Sequence, residues 1–114
     1  MCELDVYMKR SDSNPKIASE VIYARAECGE LVIRDIVGST KRFQGAIISE
    51  IDINRERLEL RESPILEPVL EFISAYDDCL STGKYEADLQ RLWEEVKGKG
   101  DQIIRDLWVK LKKA

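Results

Sequence analysis

The chain reads as an α+β protein: a small N-terminal β-barrel or curled antiparallel sheet, followed by a C-terminal helical hairpin. Two observations predict this. Up to about residue 62, apolar and polar residues alternate, which is the period of a strand with one covered face. From residue 63 the apolar residues recur every three and four positions, the period of an amphipathic helix. The organisation expected is therefore a β domain over residues 1–62 and a helical extension over residues 63–114.

Cys2, Leu4, Val6 and Met8 alternate with Glu3, Asp5, Tyr7 and Lys9 and give the first strand. Ser11-Asp12-Ser13-Asn14-Pro15 is a turn cluster, after which a second strand runs from about Ile17 to Ala26. Glu27-Cys28-Gly29-Glu30 forms a tight turn in which Gly29 supplies a positive φ. Leu31 to Val37 is a third strand, broken by Gly38-Ser39-Thr40, and Arg42-Phe43 leads to Gly45. Ala46 to Ile53, a turn at Asn54-Arg55-Glu56, and Arg57 to Arg61 complete five or six short strands, the spacing of a small barrel. Ser63 is the expected cap of the first helix, with Pro64 at its first position. Leu66, Val69, Leu70, Ile73, Tyr76 and Leu80 mark its apolar face, and Gly83 its end. A second helix is expected from about Tyr85 or Glu86 to Lys97. Gly98-Lys99-Gly100 should interrupt it, and Asp101 should cap a third segment carrying Ile103, Ile104, Leu107, Trp108 and Leu111. One continuous helix, weak at the glycines, is the alternative.

Composition removes several function classes. Residues 1–62 hold 10 Lys+Arg against 12 Asp+Glu, and residues 63–114 hold 8 against 10, so neither part has the basic footprint of a nucleic-acid binder. No stretch approaches the roughly 20 apolar residues that span a bilayer, and the acids Glu3 and Asp5 do not fit a signal peptide. A cytoplasmic location without membrane association is expected. Cys2, Cys28 and Cys79 are widely separated and odd in number, which fits reduced thiols. With no histidine, neither a Ser-His nor a Cys-His pair exists, and the chain carries no glycine-rich phosphate loop. An enzyme is not expected.

Glu50 and Asp52 share one strand face and read as solvated acids. Arg55, Arg57 and Arg61 are balanced by Glu56, Glu59 and Glu62 and read as ion pairs. Trp93 and Trp108 are expected as core or interface anchors, Cys79 as buried, and Cys28 as an inert turn residue. Cys2 differs. Once Met1 is trimmed, its amine and thiolate belong to one residue and close a five-membered chelate on Ni(II), Cu(II) or Zn(II). The bland alternative is a small apolar residue near a terminus.

The opening Met1-Cys2-Glu3, with Val6-Tyr7, then Gly29-Glu30-Leu31, Asp35-Ile36-Val37-Gly38, Gly45 and Ile48 to Ile53, resembles the CooT family of small nickel-binding proteins over residues 1–62. The resemblance implies a β-rich homodimer linked to maturation of nickel carbon monoxide dehydrogenase, a metallochaperone binding one Ni(II) per dimer through Cys2 of each chain. Two copies each giving a nitrogen and a thiolate form an N2S2 set, which suits square-planar nickel and rejects Mg(II) and Ca(II). If Met1 persists, the Cys2 nitrogen is an amide and must bind as an amidate. Glu3 either supports the ligand or is a solvated strand residue. The alternatives are an RNA-binding β-barrel module, and an interaction adaptor working through the helices with Cys2 incidental.

Overall fold

The computed structural model describes residues 3–10 and 12–112. Six strands come first: β1 (Leu4–Lys9), β2 (Lys16–Glu27), β3 (Glu30–Asp35), β4 (Thr40–Gln44), β5 (Ala46–Asp52) and β6 (Arg57–Glu62). Two helices follow, α1 (Leu66–Thr82) and α2 (Asp88–Lys112). The strands form one sheet in the order β4-β3-β2-β1-β6-β5, curled into a half-barrel, so the class is α+β as expected.

The curl is dictated by connectivity. β4 and β5 lie at opposite edges of the sheet, yet only Gly45 separates them in sequence. A flat sheet cannot bring its two edges within one residue of each other, so the sheet must bend until they nearly meet. Gly45 takes φ +65 at that corner, and its N–H donates to the Gly29 carbonyl at 3.1 Å. The same curl sets the direction of the last pair. β1 and β6 run parallel, with Asp5 opposite Arg57 and Met8 opposite Leu60, while the other neighbours are antiparallel. The all-antiparallel expectation is corrected at this one seam, where the two ends of the β region meet.

Alternation then fills the concave face. Val6 and Met8 on β1, Leu31 and Ile33 on β3, and Leu58 and Leu60 on β6 are buried at two-residue spacing, joined by Val21 and Ala46. On the convex side the Arg57 guanidinium lies over the Tyr7 ring at 4.1 Å.

The helices depart from expectation at two points. Ser63 does not cap α1. Its N–H donates to the Gly45 carbonyl and its own carbonyl accepts from Leu66, so it is held by the sheet corner, and the cap position falls to Ile65 with no side-chain bond. The far end is as expected: Gly83 is left-handed at φ 70 and donates to the Cys79 carbonyl at 2.9 Å. Gly98 and Gly100 do not break α2, which runs unbroken for 25 residues, with Asp101 inside it. Two glycines cost a helix about 2 kcal/mol. Leu92 and Val96 before them and Ile103 after them lie on one side of α2 and are the more covered of its residues, so both halves are held to one axis.

α1 meets the sheet at its corner. A Cβ on Gly45 would lie 3.2 Å from the Glu67 backbone nitrogen, and one on Gly29 3.3 Å from Cγ of Glu71. Along α2, Arg91 binds Asp88 and Glu95, each at 2.6 Å. The bond from Arg91 holds the Asp88 carboxyl below its usual range, and those from Lys97 and then Gln90 do the same for Glu94.

Candidate metal centre

The first strand after the expected ligand is an inner strand of the sheet. β1 lies between β2 and β6, and its first residues are fixed on both sides. Leu4 pairs with Val21, the Asp5 N–H donates to the Glu56 carbonyl at 2.8 Å, and the Asp5 carboxylate lies 3.8 Å from the Lys16 ammonium. Glu3 is half-buried just ahead of the strand. Cys2, the expected metal ligand, lies outside the described residues.

The other cysteines are not gathered into a site. Cys28 is exposed in the β2–β3 turn at φ +46, and Cys79 is half-buried on α1, not fully buried as expected; both are free thiols. Among the described residues, no group of three or more Cys, Asp or Glu side chains is arranged to hold a metal. Asp52 turns back to the Arg55 N–H at 3.2 Å and lies 3.6 Å from its guanidinium, so it caps a turn. Glu50 is exposed beyond a register shift after Ile48. Arg57 pairs with Glu59 at 3.5 Å, while Glu62 is taken by Arg10 at 3.0 Å. Both acids of the Glu50-Ile51-Asp52 pair are thus without a shared role.

Trp93 packs on Phe72 with ring centroids 5.4 Å apart. Trp108 is not a core residue; it is exposed, with the Lys112 ammonium 4.6 Å from its ring. A cleft of about 380 Å³ that the sequence did not announce lies between β2, β3 and the start of β4. Its polar groups serve the backbone: Lys41 donates to the Ile17 carbonyl at 2.7 Å, and Asp35 accepts from the Val37 and Ser39 N–H groups. No helix among the described residues is long and apolar enough to cross a membrane.

Comparisons with known proteins agree with this architecture. The crystal structure of a chain assigned as CooT from Carboxydothermus hydrogenoformans superposes with a TM-score of 0.51 at 19% identity. The match covers 98% of that chain and 54% of this one, and at such identity it establishes the fold alone. No curated protein matches the chain. The family described as CO dehydrogenase accessory protein CooT matches residues 1–61, more than half of the sequence. By that match the chain belongs to the CooT family, accessory proteins of an enzyme and not enzymes themselves.

Proposed function

We propose that this protein is a homodimeric nickel(II) carrier or reservoir, acting in the cytoplasm in maturation of a carbon monoxide dehydrogenase-type enzyme. The ion is held by the nitrogen and thiolate of Cys2 from two chains. The observation that carries this reading is the family match, which begins at residue 1 and so takes in the Met1-Cys2-Glu3 opening. The fold supports it physically. Covalent geometry keeps Cys2 within about 7 Å of Leu4, and Leu4 is fixed in the middle of the sheet, so the ligand is delivered from a rigid base. Bound nickel would supply a soft-to-borderline centre for amine and thiolate donors, and the chain's part is to present those donors deprotonated. Glu3 is the nearest carboxylate in sequence and is half-buried.

Nickel titration is expected to saturate near one ion per two chains, with thiolate-to-metal charge-transfer absorption. Binding should weaken as the pH falls, because protons compete for the thiol. Cys2→Ser should abolish both the absorption and the stoichiometric binding; a Cys2→Ser chain that keeps both would overturn the assignment. We also propose that residues 1–62 and 63–114 are separate units, with the metal function in the first. An RNA-binding role is not favoured, since Arg10, Arg25, Arg42 and Arg57 are each paired with a carboxylate.

A further inference from the structure

The helical hairpin leaves most of its apolar surface uncovered. No residue of α1 is buried, and Leu92 is the one buried residue of α2. Ile104, Leu107, Trp108 and Leu111 form a stripe at helical spacing and are between 55% and 67% exposed. Trp93 lies on the same stripe three turns earlier and helps line an apolar groove of about 440 Å³ with Phe72, Tyr76, Tyr85 and Leu89. α2 is 25 residues long against 17 for α1, so its last turns carry the stripe beyond its neighbour. The radius of gyration is 16.9 Å, where a compact chain of this length has about 13 Å. The hairpin is half of a core.

We infer that the other half is a second copy of this chain, its α2 packed antiparallel on this α2 with the crossing at Gly100. Three observations select that occupant. First, eight of the ten apolar residues of α2 are symmetric about Gly100, Ile103 and Val109 being the exceptions. Leu89, Leu92, Trp93 and Val96 precede it by eleven, eight, seven and four positions, and Ile104, Leu107, Trp108 and Leu111 follow it by four, seven, eight and eleven. Antiparallel self-pairing sets Trp93 against the partner's Leu107 and brings the partner's Leu111 and Trp108 to the groove beside Trp93. Leu92 and Val96 already lie on the covered side of α2, so the match left for a second copy is carried by Leu89 with Leu111 and Trp93 with Leu107. The glycine at the centre adds no side chain at the crossing, where Ile65 of the same chain lies 4.0 Å from the place of its Cβ.

Second, the charges agree. The first half of α2 carries Asp88, Glu94 and Glu95 beside Arg91, Lys97 and Lys99, and the last half Arg105, Lys110 and Lys112 beside Asp101 and Asp106. In the antiparallel register Glu94 meets the partner's Arg105, and Lys97 meets the partner's Asp101. A parallel pair would lose both contacts. Third, the area suffices. The four stripe residues hold on the order of 500 Å² of exposed surface per copy, so pairing hides about 1,000 Å², the size at which specific interfaces begin. α1 and the partner copy then cover α2 on sides roughly a quarter-turn apart, as in a four-helix bundle.

This inference is independent of nickel, and its test uses the full chain freed of metal. Sedimentation at tens of micromolar should give a dimer, for Cys2→Ser as for the unaltered chain. Leu107→Glu/Leu111→Glu should give a monomer. Because those changes could also loosen the helix end, an exchange of surface charge supplies the second arm. Glu94→Arg should weaken dimerisation about tenfold, and Glu94→Arg/Arg105→Glu should restore it. A monomeric unaltered chain overturns the inference, including one that instead binds anionic lipid vesicles. So does a dimer indifferent to the Leu107→Glu/Leu111→Glu change, or a charge exchange that fails to restore the dimer. Loss of nickel binding in Cys2→Ser with the dimer intact separates the two readings.

Discussion

Gly45 is where the two edges of the sheet and the start of α1 converge. Its φ of +65 penalises any Cβ, and the Glu67 nitrogen 3.2 Å from where that Cβ would sit leaves no room to relax. Gly45→Ala is therefore expected to destabilise the protein by about 1–3 kcal/mol, read as a lower urea midpoint with an unchanged slope. At this scale the sequence was readable where one residue has one conformational use. Gly29 at the β2–β3 turn and Gly83 at the end of α1 both take the positive φ that their neighbours implied. Ser63 was not readable. Ser63-Pro64 has the local pattern of a cap, but the corner formed by residues 18 positions earlier claims its backbone first. Cys2, the proposed ligand, is singled out only by its place at the start of the sequence and the motif around it, because one thiol carries no periodicity.

Among the elements, α2 shows what local propensity decides. Gly98 is exposed and a Cβ there would meet nothing within 4 Å, so Gly98→Ala adds helix propensity without a clash. It should stabilise the helices by about 0.5–1 kcal/mol, seen as a higher helical melting temperature by circular dichroism. A gain at Gly98 also fits an unbroken helix better than one that must bend there. Two-residue alternation located the strands well because half-buried strands are written in adjacent positions, as at Val6/Met8 and Leu58/Leu60. β4 gets no bounds from the sequence, which offers only Arg42-Phe43 in a count of five or six strands: of Thr40 to Gln44 only Phe43 is even half-covered, so the strand has no buried row to announce it. The glycine interruption failed because the two glycines are outweighed by contacts with another helix that a local reading does not contain.

For the whole molecule, the core cluster is built from strand residues between Val6 and Leu60, with no contribution from the helices. The matched crystal chain is covered to 98% by little more than half of this one. A fragment of residues 1–62 should accordingly retain a strand-type circular dichroism spectrum and unfold cooperatively, at a lower midpoint than the full chain because the contacts at Gly29 and Gly45 are gone. A fragment without a cooperative transition would show that the helices are needed for the sheet. The parallel seam between β1 and β6 could not be read in advance, since nothing local in either strand names a partner some 50 residues away.

That seam also sets an order of events. Synthesis delivers β1 first, yet one of its two neighbours does not exist until residue 62 has left the ribosome, and the closure that joins them spans nearly the whole β region. β1 is therefore flanked on both sides only once β6 arrives, so its register is completed last although it is made first.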